Sequence, residues 1–108
     1  MLPRKERLSR KEFNRFFSFG KKIPSASFTL VYTPHEKLYT SVVVSKKTAR
    51  TAVARNKARR RVYDIVRKAR DEQNIHGVYI FLTKSSVVHT DYATLKEEVR
   101  KHLFTIMK

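Results

Sequence analysis

Thr51-Ala52-Val53-Ala54-Arg55-Asn56-Lys57-Ala58-Arg59-Arg60-Arg61-Val62-Tyr63-Asp64-Ile65-Val66-Arg67-Lys68-Ala69-Arg70 is the stretch around which the chain is organised. At 3.6 residues per turn, Ala58, Val62, Ile65, Val66 and Ala69 fall within an arc of roughly 100°, the width of a stripe that buries itself against a core. Asn56, Lys57, Arg60, Arg61, Arg67 and Lys68 point the other way, while Arg55 and Arg59 lie on the flanks or N-terminal lip of the stripe. The spacing predicts one amphipathic helix from Thr51 to Arg70 with a cationic outer face.

Upstream of it the period changes. Ser27–Thr33 is rich in β-branched and aromatic residues, with Phe28, Leu30 and Tyr32 on one face and Thr29, Val31 and Thr33 on the other. Pro34–Lys37 reads as a turn and Leu38–Ser45 as a second strand, so 27–45 is expected to form an antiparallel hairpin, preceded by a short strand near Lys22–Ser25. Further back, Ser9 and Glu12 form a capping box, and Leu8 and Phe13 occupy the positions of a hydrophobic staple. Phe13, Phe16 and Phe17 continue a helix over 10–19 that stops at Gly20, and 1–7 reads as a loose basic arm.

Downstream, Val78–Thr83 is apolar at nearly every position, as a strand covered on both faces would be. After a loop at Ser85–His89, Thr90 is placed to cap a last helix in which Tyr92, Leu95, Val99, Leu103 and Ile106 keep helical spacing. The expected fold is α+β, a single-domain αβββαβα sandwich over 1–108 with helices on a small mixed sheet.

The 108 residues are 41% apolar, enough for one small core, and there is no cysteine to staple a second. The longest apolar run, Val78–Leu82, is far below the roughly 20 residues of a membrane span, and no apolar stretch follows the basic N-terminus as a secretory signal requires. No membrane partner is expected, and the lack of cysteine fits a reducing, cytoplasmic setting. The oligomeric state is not legible.

Charge is the strongest signal. Twenty-five Lys and Arg stand against nine acids, a net +16. Residues 1–22 carry eight bases and two acids, and 46–70 carry eleven bases against Asp64 alone; 23–45 and 71–108 each balance. Solvated faces mix signs, so two one-sign blocks point to a polyanion, with nucleic acid first. Lys57, Arg60, Arg61, Arg67 and Lys68 form a row over two turns or more, roughly 15 Å, able to follow a phosphate backbone. Arg55 and Asn56 add donors at the helix N-terminus, whose free N–H groups and dipole also favour phosphate. The Phe13/Phe16/Phe17 set reads as core by its spacing, yet cations border it, so stacking on unpaired bases stays open.

Catalytic patterns are missing. His35, His76, His89 and His102 are scattered, no metal-ligand spacing is present, and no glycine-rich phosphate loop occurs. Glu97 and Glu98 point about 100° apart on a helix and are not an acid–base pair. No catalytic residue and no protein-bound cofactor or metal is expected. The lack of an evident active site does not bar such a chain from serving a catalyst made of something else.

Read together, Val42-Val43-Val44-Ser45-Lys46-Lys47 and Ala52-Val53-Ala54-Arg55-Asn56-Lys57-Ala58-Arg59-Arg60-Arg61 resemble the signature of the bacterial ribonuclease P protein subunit. Leu8–Gly20 resembles that family's first helix, and Val78–Leu82 with Asp91–Phe104 its last strand and helix. The resemblance implies a left-handed β-α-β crossover, against the usual hand. It implies a partner, the catalytic RNA subunit, which cuts the 5′ leader from precursor tRNA with Mg2+ bound through the RNA. It implies that Arg55, Asn56, Lys57, Arg59 and Arg60 face RNA, an expected RNA-binding set to which the charged row adds Arg61, Arg67 and Lys68 and the basic pair Lys46 and Lys47, and that Phe13, Phe17, Val31 and Val43 line a cleft for the leader. Lys57 stands where the family has arginine, Val31 and Val43 where it has an aromatic and a serine, and the glycine after Lys47 is missing. The alternatives are a ribosomal-type RNA-binding protein without an enzymatic partner, a nuclease that works alone, and, least favoured, a membrane-surface binder.

Overall fold

A strand with no polar face must be covered on both sides, and that requirement sets the sheet. The computed structural model describes residues 8–106, so the expected arm at 1–7 lies outside the described residues. Helix α1 (Arg10–Phe19) leads to strands β1 (Lys21–Pro24), β2 (Phe28–Thr33) and β3 (Leu38–Val43), then helix α2 (Ala52–Gln73), strand β4 (Gly77–Thr83), a 3₁₀ turn at Ser85–Val88 and helix α3 (Tyr92–Ile106). The order across the sheet is β1-β2-β4-β3. β4 takes an interior place, antiparallel to β2 and parallel to β3.

This corrects the hairpin. β2 and β3 are consecutive in sequence but do not pair, because β4 lies between them. β4 is buried from Gly77 to Phe81; at an edge it would expose an apolar strand with unpaired backbone groups. The mixed sheet and the αβββαβα order are as expected, with α2 as the crossover between the parallel strands β3 and β4.

Two cores result. Phe28, Leu30, Tyr79 and Phe81 meet Val62, Ile65, Leu95 and Leu103 of α2 and α3 on one face of the sheet. Val31, Val78 and Ile80 meet Phe16 of α1 on the other. The alternation along β2 that separates Leu30 from Val31 is therefore the division between the cores. Tyr63 of α2 also secures the outer strand, its hydroxyl accepting the Val42 N–H at 3.2 Å. Among the described residues, no helix is long and apolar enough to cross a membrane.

The helix ends follow local chemistry. At α1, the Glu12 N–H donates to Ser9 Oγ at 3.3 Å and the Ser9 N–H to Glu12 Oε1 at 3.3 Å, both halves of the capping box. Thr51 Oγ1 accepts the Ala54 N–H at 3.1 Å to start α2. That helix runs three residues past Arg70 and closes at Asn74, whose φ of 52° is left-handed. The cap of α3 is Asp91, which accepts the Thr94 N–H at 3.3 Å, rather than Thr90, whose hydroxyl donates to the Ser86 carbonyl at 2.8 Å.

Gly20 ends α1, but its φ is −70°, which any residue adopts. What it supplies is room: a Cβ there would lie 2.4 Å from Val31 Cγ1 and 2.9 Å from the Phe16 carbonyl oxygen. Gly20→Ala is expected to lower stability by about 1–3 kcal/mol through overpacking. Urea unfolding measures this, and an unchanged midpoint would contradict the close packing of α1 on β2.

Candidate nucleic-acid interface

The cationic face of α2 divides into two parts. In its first half, Asn56, Lys57 and Arg60 are exposed, while Arg55, Arg59 and Arg61 are partly buried. Lys57 and Arg60 have no hydrogen bond or ion pair among the described residues. The others are held by neutral groups: Arg55 donates to the Ala49 and Arg50 carbonyls at 3.0 and 3.1 Å, Arg59 to Asn56 Oδ1 at 2.8 Å, and Arg61 to the Thr90 carbonyl. None of these bonds removes charge, and those of Arg55 and Arg61 hold a guanidinium at a set place against the fold. Arg55 thereby also ties down the turn that presents Lys46 and Lys47, both exposed just after β3.

The second half is different. Arg67 and Lys68 share Asp64, at 2.7 and 3.2 Å, and Tyr92 of α3 donates its hydroxyl to the same carboxylate at 2.7 Å. The bond from Arg67, then that from Tyr92, hold the Asp64 carboxyl at about 2, below its ordinary 3.8. Both cations are raised in turn, chiefly by their bonds to Asp64. Arg67 and Lys68 are thus ion-paired to Asp64, unlike Lys57 and Arg60, but two cations on one carboxylate leave this end of the row net positive. The one acid of that basic block sits i, i+3 and i, i+4 from its two partners, and this spacing was the available signal.

The α1 side of the sheet carries the second set. Phe16 is core, whereas Phe13 and Phe17 are half-buried, their rings stacked at 5.6 Å with Lys22 Nζ 5.4 Å from the Phe17 centroid. Strand register puts Lys22, Val31, Ile80 and Ser41 in one row and Pro24, Thr29, Leu82 and Val43 in the next. Val31 is only 1% exposed beneath Gly20, so it supports the floor and offers no surface to a ligand. Val43 lies on the half-open row, beside Leu82 and Thr29. Leu82 and Thr29 were missed because their place follows only from pairing across β4.

The two sets meet at one end of the sheet. Thr83 Oγ1 donates to the Val43 carbonyl at 2.7 Å, and Thr48 Oγ1 donates to the Thr83 carbonyl at 3.3 Å. The half-open row therefore ends at the turn that carries Lys46 and Lys47 into α2. Acids offer nothing comparable: Glu72 pairs with Arg100 at 2.8 Å, Glu98 accepts the Ser27 N–H at 3.1 Å, and Asp91 caps α3. Among the described residues, no three His, Cys, Asp or Glu side chains are grouped to hold a metal ion.

A small α+β sandwich with a rigid cationic helix edge and a half-open aromatic face defines a nucleic-acid-binding protein. The particular family follows from comparison with known proteins: residues 2–107 match the model of the family described as Ribonuclease P, and the chain belongs to that family. It is 29% identical over 100 residues to the ribonuclease P protein component of a Nitratiruptor species, covering 93% of this chain and 90% of that protein. Its fold is similar to that of a Staphylococcus aureus RNase P protein mutant, with a TM-score of 0.80 at 18% identity over 95% of this chain and 88% of the other. It is also similar to the Thermotoga maritima RNase P protein, with a TM-score of 0.77 at 24% identity over 91% and 94% of the two chains. Membership gives the chain the part of a ribonuclease P subunit in tRNA 5′ maturation, with an RNA partner in a ribonucleoprotein.

The Asp64 cluster has a pH signature. Because the folded value is the lower one, its contribution to stability is present above the ordinary 3.8 and is lost as pH falls toward about 2. Asp64→Asn is expected to remove that part of the acid dependence. Thermal melts from neutral pH down to this range check it, and parallel curves for the two proteins would contradict the cluster.

Proposed function

We propose that the chain docks on the catalytic RNA of ribonuclease P through the first half of α2 and holds the 5′ leader of precursor tRNA on the α1 side of the sheet. Lys57 and Arg60 meet phosphates directly, with Asn56, Arg59, Arg61, Lys46 and Lys47 around them; Arg55 positions the turn. Phe13 and Phe17 offer ring surface to unpaired leader bases, over a floor formed by Val43 with Leu82 and Thr29. The observation that carries this reading is that the turn taking Lys46 and Lys47 into α2 adjoins the half-open row of Val43, Leu82 and Thr29 at one end of the sheet. A docked RNA would then place its reactive centre beside the leader it cuts.

Cleavage chemistry belongs, in this reading, to the RNA, with Mg2+ bound there. Among the described residues, no carboxylates converge as a two-metal nuclease site needs. The compartment proposed is the cytoplasm, where the RNA partner would be met.

Cleavage of precursor tRNA by the cognate RNA at low magnesium is expected to rise when this chain is added; no stimulation would remove the proposal, and cleavage by the chain without RNA would favour a self-sufficient nuclease. Phe17→Ala is expected to weaken precursor binding several-fold, in line with about 1–3 kcal/mol per stacked base, and to leave mature tRNA unaffected. Equal weakening of both, measured by filter binding, would return the rings to a purely structural role.

A further inference from the structure

Helix α1 has a second flank. Phe17 and Phe19 are two residues apart, so their side chains point about 160° apart around the helix. Phe17 lies on the side of the half-open row, stacked on Phe13. Phe19 lies on the opposite side, where Phe16 meets His35 of the turn before β3. It is 58% exposed and is, among the described residues, the one phenylalanine or tyrosine left open to solvent.

The ring is nonetheless held in place. Its centroid lies 5.7 Å from that of Phe16; Phe16 is 6.1 Å from His35, and His35 is 5.3 Å from Tyr39, the last two contacts edge-on. His35 is itself fixed: its Nδ1 accepts the Lys37 N–H at 3.0 Å, and its carbonyl accepts from His76 Nδ1 at 2.9 Å. Four rings thus form a run from Tyr39 to open water at Phe19. Positive charge borders it. Arg15, one turn before Phe19, has its guanidinium carbon 5.7 Å from the Phe16 centroid. Among the described residues, Arg15 and Lys21 have no hydrogen bond and no ion pair. Of the nearby acids, Glu12 is held in the capping box and Glu36 is followed by Lys37. An open ring beside unpaired cations offers a stacking face and phosphate partners together, the composition of a site for unpaired nucleotides.

Strand register decides which nucleotides reach it. In the reading above, the cleaved end of the leader lies at Val43, by the turn that carries Lys46 and Lys47. From there the half-open row runs through Leu82 and Thr29 to Pro24 on β1. β1 is an edge strand and begins directly after α1. Only Gly20 and Lys21 separate Phe19 from Lys22, whose Nζ lies over the Phe17 ring. RNA leaving the row past Lys22 therefore meets the end of α1, with Phe19 on its far side.

We propose that Phe19, backed by Phe16 and flanked by Arg15 and Lys21, is a second stacking site for unpaired RNA, taking leader nucleotides upstream of those held between α1 and the sheet. The proposal rests on the leader reading above. It makes the length of the leader, and not only its presence, a determinant of binding.

The test uses the full chain with the cognate catalytic RNA and precursor tRNAs whose leaders are shortened one nucleotide at a time from the 5′ end. Phe19→Ala is expected to weaken binding of the longest precursors about fivefold, the weight of one stacked base, and to leave those with the shortest leaders unchanged. Phe19→Tyr, which keeps a ring, should bind as the unaltered chain does. A photocrosslinker at position 19 should join to leader nucleotides upstream of those joined by one at position 17. Phe17→Ala is the control and weakens every precursor. Equal loss at all lengths on Phe19→Ala makes the ring a support for α1, and no loss at any length makes it idle; either result overturns the shelf while Phe17→Ala still separates precursor from mature tRNA. If Phe17→Ala does not separate them, the leader reading falls and the shelf with it. Crosslinks from position 19 only to the catalytic RNA, or only to protein, also overturn it.

Discussion

β4 is apolar on both faces, and every larger feature of the molecule follows from hiding it. It cannot lie at an edge, so it divides β2 from β3 and pairs parallel with the latter. A parallel neighbour cannot be reached by a tight turn. The chain must leave β3, cross as α2 and return. That crossing starts α2 at the end of the sheet where Val43 and Thr83 are joined, next to the half-open row under α1. The place of the cationic edge beside the aromatic face is thus a consequence of strand burial.

Electrostatics then decides how much of that edge is usable. A net charge of +16 on 108 residues disfavours compaction through self-repulsion. The chain relieves part of the repulsion by pairing Arg67 and Lys68 with Asp64, to which Tyr92 also donates, and among the described residues no acid pairs with the cations between Lys46 and Arg61. Neutral acceptors orient Arg55 and Arg61 without cancelling their charge. Surface ion pairs contribute little stability; their main effect here is to bound the free positive surface.

Particular residues show what could be read in advance. The stripe from Ala58 to Ala69, the Ser9–Glu12 box and the buried strand at Val78–Leu82 were legible because each depends on neighbours within a few positions. Phe16 and Phe17, adjacent in sequence, were not separable into core and surface. That division depends on how α1 lies on β2, which Gly20 sets by its closeness to Val31. Val31 falls in the leader cleft by the resemblance, and only the helix end above it shows that it is covered. The hairpin expected over 27–45 does not form, although a short turn favours adjacent pairing, and nothing local reveals that β4 competes for the same edges.

By itself, the sequence determined the elements, the one-sided charge and the resemblance carried by Arg55-Asn56-Lys57, since hydrogen-bond caps, periodicity and formal charge are properties of short segments. The tertiary structure alone decided the strand order, which cations stay free, and that Leu82 and Thr29 share the floor with Val43. Those are matters of contact between residues tens of positions apart. They are settled by which arrangement buries the most apolar surface while leaving the fewest backbone groups unpaired.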